Sequence, residues 1–423
     1  MRESPYPLEQ SLGISWYATG TEGIGGYLRR EPEDFRVDEV PAGTWGETGE
    51  YLVLRLTKRN WEQQRLVKEL ARILGIGHRR ISWAGTKDRR AVTTQYISVR
   101  GIGPEALERV ALPGVSLEVA GRSPRSIALG ELAGNRFLIR IRDCEPTDLV
   151  DRVAEACRVA RSGFPNYVGI QRFGVIRPVT HLVGERILRG DLEGAVLSYL
   201  GASFPSEPPE VRDARKAYSR GRDAKEALHL FPVRLTFERA MLHHLDSHPG
   251  DYPGALGALP PRLLSMFVTA FQSFLFNTLL SRRCARGIPL DRPAPGDRLL
   301  FADGREDRVT AENLGAASLQ VSRKRARMGL FVPGSGLPEV SGAGGDPATV
   351  LLGELGITPG NFAAASRFVG VAYSGLTRPV ALATDIDARV EGSAVLLGLS
   401  LRPGQYATTV CREFMKADPM RMI

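Results

Sequence analysis

The chain has 423 residues, of which 43% are hydrophobic and 24% charged, and its formal net charge is +9 at pH 7. This length is enough for a sizeable core and two compact units, and the spread of basic residues agrees with a polyanionic partner as well as with an ordinary basic surface. No stretch approaches the roughly 20 uninterrupted apolar residues of a membrane span, and no signal-peptide core follows Met1, so we expect a cytoplasmic protein without a membrane partner. The four cysteines form no C-x-x-C pair, so we expect neither a disulfide framework nor a zinc ribbon.

The first elements predicted along the chain are strands. Apolar and polar residues alternate from about Tyr27 to Val40 and again from Glu50 to Thr57, with Pro41-Ala42-Gly43 between them. A helix of about four turns is predicted next, beginning after Asn60 and ending at Gly75. Its apolar face contains Leu66, Val67, Leu70, Ile73 and Leu74.

Two further strands are predicted on either side of a short charged loop. Ile81–Ala84 and Ala91–Val99 are rich in β-branched and aromatic residues, and Gly85–Arg90 connects them. Asp88 therefore lies on a loop between two strands. Loops held by rigid strands are where reactive groups are usually displayed.

The segment Gly134–Arg142 alternates again and predicts a strand with two different faces. One face carries Asn135, Phe137, Ile139 and Ile141, and the other carries Arg136, Leu138, Arg140 and Arg142. A helix is predicted over residues 148–160. The first part of the chain is therefore predicted to form a sheet with flanking helices.

Between about residues 174 and 368 the pattern changes to short helical runs. Examples are residues 224–245 and 263–283, and Pro- and Gly-rich stretches at 203–209 and 333–347 interrupt the pattern. We expect much of this region to be an inserted second unit. The chain then ends with a predicted strand at 394–401, a turn at 402–404 and a helix at 407–416.

The loop that carries Asp88 has the sequence Gly85-Thr86-Lys87-Asp88-Arg89-Arg90, in which one carboxylate lies among three cations. By itself such a loop is more often a charged surface turn than an active site. The run Asn166–Gly174 combines two glycines, amide side chains and aromatic residues without a helical or strand period. It is compatible with a tight connector whose aromatics fill a core.

Five segments taken together resemble one known family. They are Glu31–Glu39, the G-x-K-D-[KR] loop at 85–89, Gly134–Phe137, the N-Y-x-G-x-Q-R-F-G run at 166–174 and Pro403–Thr408. In this order they are similar to the TruD family of tRNA pseudouridine synthases, over about residues 25–416. Each segment alone would be a weak signal, and their order is what makes the resemblance specific.

The resemblance implies an α/β (α+β) fold. The expected core is a pseudouridine synthase domain with an antiparallel or mixed sheet and flanking helices, formed by residues 1–174 and 369–423. Residues 175–368 would form the inserted α/β TRUD-type domain. The implied activity is isomerisation of uridine to pseudouridine in tRNA, with position 13 as the usual target and no cofactor.

The resemblance also implies roles for particular residues. The catalytic carboxylate falls on Asp88, and the basic partner falls on Arg29, where other members carry Lys. Because a guanidinium prefers a planar two-point contact with a carboxylate, this exchange leaves the geometry at Asp88 open. The residues that would bind the substrate are Asn135, Phe137, Tyr406 and Lys87.

These residue types suit the reaction. A carboxylate can attack C1′ of the ribose, stabilise a cation-like sugar or remove a ribose proton, and the sequence does not choose among these routes. A nearby cation favours an ionised carboxylate, and Arg29 or Lys87 could supply it. A uridine flipped out of folded tRNA needs an aromatic platform and an amide partner, which Phe137 and Asn135 would provide. The alternative interpretation of these two residues is a core Phe beside an Asn at the end of a strand. For Arg29 and Tyr406 the alternatives are an exposed strand charge and packing at a helix N-terminus.

Contacts to tRNA phosphates call for exposed cations. The candidates are Arg136, Arg140, Arg142, Arg172, Arg282, Arg283, Arg323, Lys324 and Arg325, although charge runs are usually solvated faces. A non-catalytic RNA-binding or remodelling protein of the same fold is the alternative function. A metal-dependent nuclease or deaminase would need clustered ligands that the sequence lacks, and no P-loop or G-x-G-x-x-G motif indicates a nucleotide cofactor. We expect no metal, and a monomer is favoured.

Overall fold

The structure is a computed structural model that describes residues 1–145, 147–336 and 346–422. Its strands are β1 (Arg2–Glu3), β2 (Trp16–Tyr17), β3 (Gly25–Tyr27), β4 (Phe35–Pro41), β5 (Tyr51–Arg59), β6 (Ile81–Trp83), β7 (Val92–Arg100), β8 (Val115–Ser123), β9 (Leu132–Cys144), β10 (Phe164–Pro165), β11 (Arg298–Phe301), β12 (Glu306–Arg308), β13 (Ala326–Val332), β14 (Leu376–Pro379), β15 (Ala381–Leu382), β16 (Ile386–Glu391) and β17 (Ala394–Leu401).

The α-helices over the same residues are α1 (Pro7–Ser11), α2 (Gln63–Leu74), α3 (Leu149–Ser162), α4 (Thr180–Leu188), α5 (Leu192–Gly201), α6 (Pro209–Gly221), α7 (Ala224–Leu230), α8 (Thr236–Ser247), α9 (Tyr252–Gly257), α10 (Pro261–Ala285), α11 (Leu314–Ser322), α12 (Pro347–Leu355), α13 (Pro359–Val369) and α14 (Ala407–Met415). Together these elements form the mixed α/β architecture that the sequence predicted. Part of the Pro- and Gly-rich stretch predicted at 333–347 lies outside the described residues.

The chain divides into two compact units. One, the sheet unit, consists of residues 19–162 and 383–423, and the other, the helical unit, consists of residues 1–18 and 163–382. The sequence predicted domain boundaries after residues 174 and 368, and those boundaries stay a prediction. The first 18 residues group with the middle of the chain.

The sheet unit is built on a nine-stranded mixed sheet. Its main path runs in the order β16-β17-β9-β4-β7-β5-β8, with β3 paired to β9 and β6 paired to β7. All of these pairs are antiparallel except β4 with β7, which are parallel. The sheet therefore joins strands from the beginning and the end of the chain.

Strand β9 lies between β17 and β4 and has the two faces predicted from its alternation. Asn135 is opposite Glu39 of β4, and Phe137 is opposite Val37. Ile139 is buried on the same face, whereas Arg136 on the other face is exposed. The register thus places Asn135 and Phe137 on one face together with Val37 and Glu39.

Helix α2 covers the same face further along the sheet. It begins at Gln63 rather than after Asn60, because the Glu62 carboxylate accepts hydrogen bonds from the backbone N–H groups of Gln64 and Arg65 and so caps the helix. Gly75 ends it in the left-handed conformation, as predicted. Its buried face packs on β5 and β7 in a cluster that contains Leu52, Leu54, Leu56, Leu66, Val67, Leu70, Ile97 and Val99.

Two predicted elements are divided in the structure. The alternation over 27–40 is interrupted between β3 and β4, where Arg29 has a φ of 55° and Pro32 begins a 3₁₀ turn. The helical run at 224–245 is likewise two helices, α7 and α8, with Pro232 between them. In both places a proline or a left-handed residue ends the regular element, which periodicity alone does not register.

The helical unit packs around α10. This helix is 25 residues long, and Asn277 on it binds the run Asn166–Gly174: its Oδ1 accepts the Val168 N–H at 2.8 Å and its Nδ2 donates to the Val168 carbonyl at 3.0 Å. Tyr167 is buried, and its hydroxyl is 2.7 Å from Ser281 Oγ. The run therefore serves as a tight connector with a buried aromatic.

The helical unit also contains a four-stranded antiparallel sheet in the order β12-β11-β13-β14. Among the described residues, α10 is the one helix long and apolar enough to cross a membrane, and 61% of its 18-residue apolar window is buried inside the protein. Burial of this kind is typical of a core helix.

Candidate active site

Asp88 lies on the loop between β6 and β7, as the sequence predicted, and its side chain is 51% exposed. One carboxylate oxygen, Oδ2, accepts a hydrogen bond from Arg29 Nη2 at 2.8 Å. The other oxygen, Oδ1, accepts no hydrogen bond from any residue that the structure describes. The carboxylate is thus oriented through one oxygen and open at the other.

Arg29 approaches Asp88 from the protein interior. Its side chain is only 10% exposed, and its guanidinium carbon lies 4.1 Å from the centroid of the Phe35 ring. The contact with Asp88 is made through a single nitrogen, so the two-point geometry that a guanidinium prefers is not used here. Nε of Arg29 is buried and has no hydrogen-bond partner among the described residues.

Lys87, next to Asp88 in sequence, is directed to a different carboxylate. Its Nζ donates to Oε2 of Glu39, and both side chains are buried. The other oxygen of Glu39 accepts the backbone N–H of Tyr96 at 3.2 Å. Of the two cations expected beside Asp88, Arg29 therefore makes the ion pair, and Lys87 fastens the loop to β4.

Asn135 and Phe137 are connected to Asp88 through these two pairs. Asn135 lies opposite Glu39 in the sheet, and its Oδ1 is buried without a hydrogen-bond partner among the described residues. The rings of Phe137 and Phe35 meet edge to face with centroids 6.1 Å apart, and Phe35 in turn supports Arg29. The fold thus brings five of the predicted residues, Asp88, Arg29, Lys87, Asn135 and Phe137, into one contiguous group.

Tyr406 lies on the loop that follows β17 and is the residue before α14. Its side chain is partly exposed, at 36%. The same loop leaves the sheet at Leu401, the residue opposite Asn135. A place for Tyr406 in the wall of the base pocket stays a prediction.

Sequence reasoning missed Lys58, which is fully buried near the end of β5. Its Nζ donates to the main-chain carbonyl oxygens of Asp88, at 2.8 Å, and of Trp61, at 2.7 Å. Burial lowers the pKa of Lys58 to about 8, and the charge of Asp88 opposes part of that shift. Alternation offered a signal, because Lys58 continues the inward-facing series Leu54 and Leu56.

Several cations proposed for tRNA phosphates are already engaged within the protein. Arg142 binds Asp34, Arg140 binds Glu391, Arg282 binds Glu354, Arg283 binds Asp297 and Arg172 binds Thr269. By contrast, Arg136, Arg323, Lys324 and Arg325 are exposed and make no ion pair within the described parts of the chain. Among all these cations, the last four are the more available for phosphates.

No group of three or more His, Cys, Asp or Glu side chains that could hold a metal ion occurs in residues 1–145, 147–336 and 346–422. His244 and His248 stack on each other at 4.8 Å, and His244 Nε2 is 2.7 Å from Asp251 Oδ2. This pair is explained by local hydrogen bonding.

Comparisons with family models, curated relatives and solved structures all match the same family. Residues 11–414 match the family model described as tRNA pseudouridine synthase D (TruD). The chain is 40% identical to the probable tRNA pseudouridine synthase D of Methanococcoides burtonii, over 98% of each chain, and 37% identical to that of Halobacterium salinarum, over the whole of both. The crystal structure of the putative tRNA pseudouridine synthase D from Methanosarcina mazei matches with a TM-score of 0.84 at 38% identity, covering 99% of this chain and 100% of that one.

Proposed function

The chain belongs to the family of tRNA pseudouridine synthase D (TruD), isomerases that act on uridine in tRNA, and we propose that Asp88 is the carboxylate on which this isomerisation depends. The observation that carries the proposal is the state of its two oxygens: Arg29 holds Oδ2, and Oδ1 has no partner among the described residues. A reactive group needs both a fixed direction and an open atom.

The reaction breaks the bond between N1 of uracil and C1′ of ribose and forms a bond between C5 and C1′. The hydrogen displaced from C5 is balanced by one gained at N1, so the product is an isomer of the substrate. Attack on C1′ and removal of a ribose proton both require an ionised carboxylate with an accessible oxygen. Oδ1 of Asp88 suits either route.

Arg29 forms an ion pair with the Asp88 carboxylate and sets its direction. Its cation lies on the protein side of the carboxylate, in a setting that is largely shielded from water. Electrostatic interactions are stronger where water is excluded. The stacking of its guanidinium on Phe35 keeps the charge in place when the substrate arrives.

Asn135 and Phe137 are proposed to hold the detached base while it turns. The buried Oδ1 of Asn135, which lacks a protein partner in the described chain, is suited to accept a hydrogen bond from the uracil edge. Phe137 supplies an apolar ring, and Tyr406 is proposed as the opposite wall. Lys87 was predicted to bind substrate, and its pairing with Glu39 supports a role in shaping the loop under the base.

The proposed substrate is tRNA with the uridine at position 13 as its target. The protein is proposed to act as a cytoplasmic monomer without metal or nucleotide cofactor. These features come with the family resemblance. Direct mapping of the modified position tests the target.

The deciding experiment is position-resolved mapping of pseudouridine in unmodified tRNA treated with wild-type protein or with Asp88→Asn. The amide keeps the size of the side chain but is neither a nucleophile nor a base, so we expect the rate to fall by about 10²- to 10⁴-fold. Asp38→Asn is the control, since Asp38 is exposed on the other face of β4. Full activity of Asp88→Asn would refute the catalytic assignment, whereas absence of pseudouridine after treatment with the wild-type protein would favour the RNA-binding alternative.

A further inference from the structure

Lys58 makes contacts that its strand position does not require. It is a fully buried cation in a series whose other inward-facing members are leucines. No carboxylate within the described residues forms an ion pair with it, and its ammonium instead donates to two main-chain carbonyls. Burying an ammonium group is costly unless its hydrogen bonds are satisfied, so this arrangement calls for a reason.

One of those two carbonyls belongs to Asp88 itself. The carboxylate of Asp88 is bound by Arg29 and its main-chain oxygen by Lys58, so two cations hold the same residue at two different atoms. The N–H of Asn60 also donates to the carbonyl of Ala91 at 3.0 Å. The chain segment that contains Lys58 therefore holds the reactive loop at Asp88 and again at Ala91, just after the end of the loop.

These contacts restrict the orientation of the Asp88 side chain. Fixing the carbonyl oxygen fixes the plane of the peptide that follows Asp88, because that peptide is rigid. The direction of the Cα–Cβ bond is then limited, and so is the position of the open oxygen Oδ1. In catalysis a misplacement of about 1 Å can reduce the rate about 10²-fold.

We propose that Lys58 is a positioning residue, which sets the orientation of Asp88 by binding its main-chain carbonyl. It touches neither substrate nor the reacting oxygen, and it acts only through Asp88. The inference rests on the proposed role of Asp88. If Lys58 only joined β5 to α2, through its hydrogen bond to the Trp61 carbonyl, its replacement would lower the stability of the protein but not the rate of isomerisation.

The surrounding charges fit this role. Burial favours the neutral amine of Lys58. The negative charges of Asp88 and Glu62 favour the ammonium, and the positive charge of Lys87 opposes it. Hydrogen bonds from a charged donor are roughly twice as strong as neutral ones. The two carboxylates thus help to keep the contact with the Asp88 carbonyl strong.

The test compares Lys58→Met with wild type in single-turnover pseudouridine formation on a tRNA transcript, and measures tRNA affinity and thermal unfolding of the same proteins. Lys68→Met is the matched control, because Lys68 is an exposed lysine on α2. We expect Lys58→Met to be about 10²-fold slower, with its tRNA Kd within about twofold of wild type and its unfolding still cooperative. Lys68→Met should keep the wild-type rate.

Three outcomes would overturn the proposal. They are a wild-type rate in Lys58→Met, a loss of rate accompanied by an equal loss of tRNA affinity, and failure to fold of both Lys58→Met and the polar variant Lys58→Gln. If only Lys58→Met fails to fold, Lys58→Gln is judged by the same rate and affinity. Including Asp88→Asn separates the positioning role of Lys58 from the catalytic role of Asp88. If Asp88→Asn is inactive and Lys58→Met has the wild-type rate, only the positioning role is refuted. If Asp88→Asn is active, the catalytic role of Asp88 is refuted.

Discussion

At the scale of single residues, the candidate site is organised by which cation meets which oxygen. Arg29 donates to the carboxylate of Asp88, Lys58 donates to the main-chain carbonyl of Asp88, and Lys87 donates to Glu39. Each of the three cations has a separate acceptor. This division leaves Oδ1 of Asp88 without a hydrogen-bond partner among the residues that the structure describes.

Arg29 occupies the position at which other family members carry lysine, and the effect of this difference can be tested directly. Because Arg29 uses a single nitrogen at 2.8 Å from Asp88, a lysine can reproduce the contact, although it loses most of the stacking on Phe35. We expect Arg29→Lys to slow single-turnover isomerisation by less than about tenfold, and Arg29→Met to slow it by about 10- to 100-fold, as for loss of a charged hydrogen bond of about 1.5–3 kcal/mol. Equal rates in the two variants would show that charge at this position is irrelevant.

At the scale of elements, the reactive loop is attached to strand β4 by a buried ion pair. Glu39 projects from β4, and Lys87 comes from the loop between β6 and β7. Pairs of this kind contribute little to stability as a whole, but removing one partner leaves the other charge buried and uncompensated. The pair therefore specifies where the loop lies on the sheet.

Replacing Glu39 by Gln tests this attachment. The free energy of unfolding should fall by about 3–5 kcal/mol, because Lys87 would be left without its counter-charge. Glu118→Gln is the control, since Glu118 forms an exposed pair with Arg55 on the same sheet, and its loss should be below about 1 kcal/mol. Denaturant unfolding of both variants measures the difference, and equal losses would contradict a special role for the buried pair.

At the scale of the whole molecule, the net charge of +9 must be separated from the cations that remain available. Many arginines form ion pairs with carboxylates of the protein. Within the described parts of the chain, the exposed cations that form no such pair include Arg136 and the run Arg323-Lys324-Arg325. Binding of tRNA should therefore depend on only part of the formal charge.

Salt should weaken tRNA binding without slowing the bound complex. Each phosphate contact releases counterions, so the affinity should fall about tenfold or more between about 50 and 200 mM salt. The single-turnover rate at saturating protein should stay nearly constant, because Arg29 and Asp88 are in direct contact at 2.8 Å and the Arg29 side chain is shielded from water. An affinity independent of salt would argue against a phosphate-binding surface.

Local patterns accounted for much of the architecture. Alternation located β9 and β17, an apolar stripe located α2, and composition located the long helix α10. Patterns failed where a single residue ends an element, as at Arg29 between β3 and β4 and at Pro232 between α7 and α8. The strands of the four-stranded sheet in the helical unit were not located individually, since they are short and lie among helices.

The sequence by itself determined the family, through five motifs in order, and the placement of Asp88 on a loop between two strands. Only the tertiary structure decided that Arg29 and not Lys87, both of them expected beside Asp88, pairs with its carboxylate, and that Lys87 binds Glu39 instead. The contact of Lys58 with the Asp88 carbonyl was likewise visible only in the structure. The physical reason is that periodicity and turn chemistry act between near neighbours in the chain. Partners of buried charges are chosen by strand order and register, which bring distant residues together and exclude water from them.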